Sequence, residues 1–197
     1  MFLETVCIEN GKVRHLQAHT ARMQQTAAHF RFTAPALPDL GKLLPPENSE
    51  AKVKCSIIYH TAIEKIRFDL YQPKQIVTLR LVEASPAYAY KFADRSALNS
   101  LLRQKGNCDE ILICRDGFIT DTSYSNVVFQ EGSRFYTPRS YLLNGTKRQQ
   151  LLRSGVISER EISTASLGEY DRVYLINAML DIEDGVSLPV SSIYPLK

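Results

Sequence analysis

The sequence predicts an α+β protein of two lobes, strand-rich with flanking helices. Runs in which apolar and polar residues alternate, with many branched and aromatic side chains, recur from Phe2 almost to the C-terminus, and period-two alternation marks a strand with one buried face. Helical character is confined to a few stretches, chiefly Leu16 to His29, Phe92 to Lys105 and the one that opens at Gly145. A proline-bearing segment, Ala84-Ser-Pro-Ala-Tyr-Ala-Tyr, interrupts the strands. It divides the chain into a small lobe over 1–83, a linker over 84–90 and a larger lobe over 91–197.

The elements follow in order. Phe2 to Ile8 reads as a strand, and Glu9-Asn10-Gly11 turns it into a second short strand through Lys12 to His15. After the first helix, four prolines between Thr33 and Pro46 leave room for at most one small helix. Lys52 to His60, Ile63 to Tyr71 and Gln75 to Glu83 are expected to form a β-meander. Beyond the second helix, Glu110 to Cys114, Phe118 to Thr120, Val127 to Gln130 and Phe135 to Thr137 read as hairpin strands joined by Asp116-Gly117 and Glu131-Gly132-Ser133. The Gly145 helix closes near Ser154-Gly155, and Glu159 to Ser163, Arg172 to Ile176 and Val186 to Ile193 complete the strands.

Composition narrows the function classes. With 44% hydrophobic and 23% charged residues the chain can bury a core and is not disordered. Its 24 Lys and Arg are scattered among 21 acids, so no basic stripe of the kind that binds nucleic acid is present. Cys7, Cys55, Cys108 and Cys114 form no C-x-x-C pair, which argues against a zinc or redox motif and fits free thiols in a reducing, cytoplasmic compartment. No apolar run approaches the ~20 residues that span a bilayer, and none targets a membrane.

Four features could carry chemistry. Lys91 sits in Ala89-Tyr-Lys-Phe92, where apolar neighbours would desolvate the ammonium and favour an amine nucleophile; a surface lysine lying along apolar groups looks the same. Thr120-Asp121-Thr-Ser-Tyr-Ser125-Asn126 places a carboxylate, hydroxyls and an amide between two strands, as an ordinary turn also would. Gly145-Thr146 opens a helix, whose free N–H groups and dipole suit either a phosphate or a simple cap. His19 and Arg22 lie one turn apart on the first helix, a spacing that a solvated face shares.

In this order the features resemble the fold-type IV pyridoxal-phosphate family. These are the class IV aminotransferases, which include D-amino-acid aminotransferases, branched-chain aminotransferases and 4-amino-4-deoxychorismate lyase. Phe2-Leu-Glu-Thr5, Asn10-Gly11 and His19-x-x-Arg22-Met23 are similar to the family's first strand, hairpin and helix. Lys91-Phe-Ala-Asp-Arg95 resembles the lysine segment, most closely in the lyase branch. Cys108-Asp-Glu-Ile-Leu, Asp116-Gly-Phe-Ile-Thr-Asp121 and Ser125-Asn126 match the family's acid-containing block, and Gly145-Thr-Lys-Arg148 and Asn177-Ala-Met fall where its phosphate-binding segments belong.

The resemblance implies pyridoxal 5'-phosphate held as a Schiff base on Lys91, which would also move the substrate's Cα proton. Asp121 would keep the pyridine nitrogen protonated, and Arg22 would pair with the phosphate. Gly145 and Thr146, with Asn177 and Ala178, would complete the phosphate cup, while Ser125 and Asn126 would shape the loop beneath the ring. The larger lobe would bind the cofactor, and a homodimer acting on a small amino substrate is the expected assembly.

Departures accompany the likeness. The family's usual Glu is Asp121, Lys147 stands where a Thr often binds phosphate, and no tyrosine follows Lys91 where many aminotransferases have one. The chain also begins at the family's Phe-Glu-Thr strand, an N-terminally shortened form. A lyase that releases pyruvate and 4-aminobenzoate is the first reading, an aminotransferase for small amino acids the second, and a non-catalytic or partner-dependent cofactor-binding module the third.

Overall fold

The computed structural model describes residues 1–195 and folds the chain as two units. The first comprises residues 1–72 with 90–94; the second comprises 73–89 and the chain from Arg95 onward.

In the first unit, β1 (Phe2–Glu9) runs beside β2 (Lys12–Val13) and β3 (Lys52–Tyr59), and β3 pairs with β4 (Ile63–Leu70), all antiparallel. The β1–β2 turn puts Asn10 at φ 49° and Gly11 at φ 70°, left-handed positions that Asn-Gly adopts readily and that match the twist of a hairpin. Val6, Ile8, Val53, Cys55 and Ile57 point to one core with Leu40 from the short helix α2 (Leu40–Leu43), which Asp39 caps. The helix α1 (Leu16–Phe30) buries His19, Met23, Thr26 and Ala27, the i, i+4, i+7, i+8 stripe of an amphipathic helix.

The second unit is built on a nine-stranded sheet. Its main path runs β10 (Ser158–Arg160), β9 (Arg134–Pro138), β8 (Asn126–Glu131), β7 (Phe118–Thr122), β6 (Glu110–Arg115), β5 (Leu79–Glu83) and β13 (Ile193–Tyr194). β11 (Arg172–Ile176) pairs with β8 and with β12 (Ser187–Pro189). Leu79, Leu112, Ile119, Val127, Phe129, Val173 and Leu175 pack its core. The helices α3 (Ser96–Leu102) and α4 (Thr146–Arg153) complete the unit. Strands with few, short helices make the α+β class that the alternation predicts.

Several expectations change. β5 does not extend the meander of β3 and β4 but pairs in parallel with β6 and β13. Its approach is fixed by Asp109, whose Oδ2 accepts from the backbone N–H groups of Val77 and Thr78 and from the Thr78 hydroxyl. The first unit therefore ends at residue 72 and not 83, and no linker over 84–90 separates the units. Residues 90–94, expected at the head of the larger lobe, return to β1: Leu3 N donates to Lys91 O at 2.8 Å, Phe92 bridges Phe2, and Ala93 N donates to Met1 O. Those bonds tie 91–93 to the start of β1, and α3 begins at Ser96 rather than Phe92. The last strand breaks in two around a single 3-10 turn over Val190–Ser192, after Pro189, which has no N–H for the ladder. Leu196 and Lys197, the end of the expected larger lobe, lie outside the described residues.

Among the described residues no helix is long and apolar enough to cross a membrane, and no group of His, Cys, Asp and Glu could hold a metal ion.

Candidate cofactor site

The residues singled out by the sequence fall into two groups, one in each unit. Lys91 and Arg22 belong to the first unit, and β1 holds both. Lys91 is fixed through its carbonyl to Leu3, and the adjacent residue, Glu4, holds Arg22. Glu4 is fully buried and occupies an inward position of β1. Arg22 Nε donates to its Oε1 at 2.7 Å, Arg22 Nη2 donates to Oε2, and His19 Nδ1 lies 2.7 Å from Oε2. An ionised carboxylate only accepts, so His19 donates from Nδ1. Burial by itself would raise the Glu4 pKa, but the Arg22 charge and the bonds from Arg22 and His19 outweigh it and hold the group at about 2. Burial and the Glu4 charge together push the Tyr59 hydroxyl up to about 12.

In the second unit, β7 and β8 meet in a turn braced by Thr122, whose hydroxyl accepts from Ser125 N and lies 2.7 Å from Ser125 Oγ. Ser125 is buried and shapes this turn. Ser123 is held by Arg95, which donates to its carbonyl at 2.6 Å, and donates its own hydroxyl to the buried Glu110. Asp121 sits at the end of β7, 5% exposed, and its carboxylate faces the loop before α4. Oδ2 accepts from Leu142 N and Leu143 N at 2.9 Å each, and Oδ1 accepts from Asn126 Nδ2 at 2.7 Å. Burial raises its pKa from 3.8 to about 6, against the lowering by these three bonds and by the Arg148 charge.

Asn126 joins this acid to the helix start. Its Nδ2 also donates to Leu143 O at 2.8 Å. Gly145 follows so closely that a Cβ there would lie 2.0 Å from Asn126 Oδ1. α4 then opens with Gly145 as its N-cap and no side-chain cap, over the buried Thr146, Lys147 and Arg148. Arg148 anchors the turn by donating to Asn144 Oδ1, Pro138 O and Glu159. Asn177 closes a turn after β11: its Oδ1 accepts from Met179 N, and it exchanges backbone bonds with Leu180 around Ala178.

This donor set fits pyridoxal phosphate. The first-turn N–H groups of an uncapped helix have no helical acceptors and suit a phosphate. A carboxylate offers about four acceptor positions; Asp121 uses three, and its raised pKa marks a buried anion that a nearby pyridinium would stabilise. The loop N–H groups of Leu142 and Leu143 fix where this shorter acid lies.

Several parts of this arrangement are not visible in the residue types. The Glu4 role was missed, although its inward place on β1 and the i, i+3 spacing of His19 and Arg22 were signals for it. Three arginines that could otherwise bind a substrate carboxylate are engaged elsewhere: Arg67 on Asp69, Arg80 on Pro195 O and Arg95 on Ser123 O.

Comparison with known proteins places these residues in a family. Residues 91–193 match the family described as amino-transferase class IV. An uncharacterized protein of Haemophilus influenzae is 36% identical over 180 residues, covering 89% of this chain and 96% of that protein. A crystal structure from Haemophilus somnus 129PT, of a protein provisionally named a 4-amino-4-deoxychorismate lyase, is 34% identical with a TM-score of 0.80 and covers 90% of this chain and 95% of that one. The pyridoxal-phosphate-bound form of a provisionally named aminotransferase from Mycobacterium tuberculosis shares the fold at a TM-score of 0.76 and 17% identity, over 98% of this chain and 80% of that one. The chain belongs to the class IV aminotransferase family of pyridoxal-phosphate-dependent enzymes.

Proposed function

We propose that the protein is a pyridoxal-phosphate-dependent lyase that converts 4-amino-4-deoxychorismate into 4-aminobenzoate and pyruvate, as a cytoplasmic homodimer. The observation that carries this reading is the place of Asn126, which donates to the buried Asp121 and packs against Gly145, and so links an acid suited to the ring nitrogen with an uncapped helix start suited to the phosphate. The lyase, in preference to an aminotransferase, is supported by the Lys91-Phe-Ala-Asp-Arg95 segment and by the name of the H. somnus protein.

When bound, the cofactor supplies an electron sink for the carbanion formed at the carbon that bears the amine. This chain's residues do the rest. Thr146, with the backbone at Gly145, Asn177 and Ala178, would hold the phosphate, and Asp121 would hold a proton on the ring nitrogen. The Lys91 amine takes the proton from the amine-bearing ring carbon. The neighbouring ring C–O bond then breaks, the ring becomes aromatic, and the proton is returned to the methylene carbon of the departing enolpyruvyl group to give pyruvate.

The test is an assay of the loaded enzyme with 4-amino-4-deoxychorismate and no 2-oxo acid, in which pyruvate is followed with lactate dehydrogenase and 4-aminobenzoate by its fluorescence. Equal amounts of both products without an acceptor are expected. Turnover that requires a 2-oxo acid and yields an amino acid would replace this reading with the aminotransferase one.

A further inference from the structure

The first turn of α4 carries a cation in a place that disfavours one. Lys147 is 9% exposed, so its ammonium has lost most of its water, and it lies at the positive end of the helix dipole. The compensating charge comes from 34 residues away: Lys147 Nζ donates to Asp181 Oδ2 at 2.6 Å. Asp181 directly follows the turn closed by Asn177 and Leu180. Its Oδ1 accepts from Ile182 N, and its own N–H donates to Asp184 Oδ2, a capping box that fixes the residue. One carboxylate oxygen therefore serves the local cap and the other serves Lys147.

We propose that the Lys147–Asp181 ion pair is a latch that sets the 177–181 turn against the start of α4, so that the Ala178 N–H, the one in that turn not used by the turn's own bonds, and the first-turn N–H groups of α4 serve one phosphate. Lys147 is then a positioning residue whose charge is spent on Asp181, not a phosphate ligand. The proposal rests on the phosphate site described under the proposed function. The alternative, direct contact of Lys147 with the phosphate, makes the opposite prediction for Asp181. Neutralising that carboxylate would then release the ammonium and remove an anion from the phosphate's surroundings.

The experiment measures dissociation constants of the full-length apo protein for pyridoxal phosphate and for pyridoxal, which lacks the phosphate, by calorimetry. Asp181→Asn keeps an oxygen to accept from Ile182 N and so preserves the cap. It is expected to weaken pyridoxal phosphate roughly tenfold, the size of coupling between contacting charged groups, and to leave pyridoxal within about twofold. Lys147→Met is expected to do the same. An Asp181→Asn protein that binds pyridoxal phosphate as tightly as the wild type, or more tightly, overturns the latch. An equal loss for pyridoxal overturns it too, because the ion pair would then support only the fold. Wild-type protein that binds pyridoxal phosphate no more tightly than pyridoxal is a different result and removes the phosphate site itself.

Discussion

Glu4→Ala is expected to destabilise the protein by about 3–5 kcal/mol, the cost of removing one partner from a buried ion pair. Glu4 is fully buried with both oxygens engaged, and its loss strands the charge of Arg22, 11% exposed at the side chain, together with a buried His19. In urea titrations the midpoint should fall with the slope unchanged. The pH dependence separates charge from shape. The folded Glu4 pKa is depressed from 4.5 to about 2, so its contribution is present above pH 4.5 and is lost as pH falls toward 2. At about 1.4 kcal/mol per tenfold change in proton affinity that amounts to about 3 kcal/mol. Glu4→Gln, similar in shape but without the charge, should lack this acid limb. An unchanged limb would show that Glu4 does not carry it.

Gly145→Ala is expected to cost about 1–3 kcal/mol, as overpacking does, and to weaken pyridoxal phosphate. The backbone at Gly145, φ −64° and ψ 146°, suits alanine, so the cost comes from the Cβ and not from conformation. That Cβ would meet Asn126 Oδ1 at 2.0 Å, and Asn126 cannot swing away without releasing Asp121 and Leu143 O. Asn126→Ala loses those bonds but opens the space. The double variant should therefore be less destabilised than the two single variants added together, a non-additivity expected of touching residues. Additive losses would mean that the glycine is required for another reason.

Local features were legible in the sequence. Asn10-Gly11, the α1 stripe and the alternation of β3 and β4 each depend on residues close in sequence, and each element lies within a residue or two of its expected bounds. Long-range pairing was not. Alternation marks β5 as a strand without saying which strand it joins, and nothing in Tyr90–Asp94 announces its return to β1. The same division runs through the candidate site. Asp121, Asn126 and Gly145 stand out by type and order, and Asn126 joins them, bonded to Asp121 and packed directly against Gly145. The donors to Asp121 from Leu142 and Leu143 are backbone groups with no side-chain signature. Glu4 reads as a polar residue interrupting an apolar strand until α1 brings His19 and Arg22 against it, and Lys147 reads as an ordinary helix lysine until Asp181 is found beside it.

The most direct measurement of the central claim is borohydride reduction of the protein incubated with pyridoxal phosphate, followed by peptide mass spectrometry. One reduced cofactor per chain on the peptide that contains Lys91, absent from Lys91→Ala along with the visible absorption band, is the result expected of a class IV enzyme with this lysine at its centre. An adduct on another lysine, or a Lys91→Ala protein that keeps the same adduct and band, would contradict it.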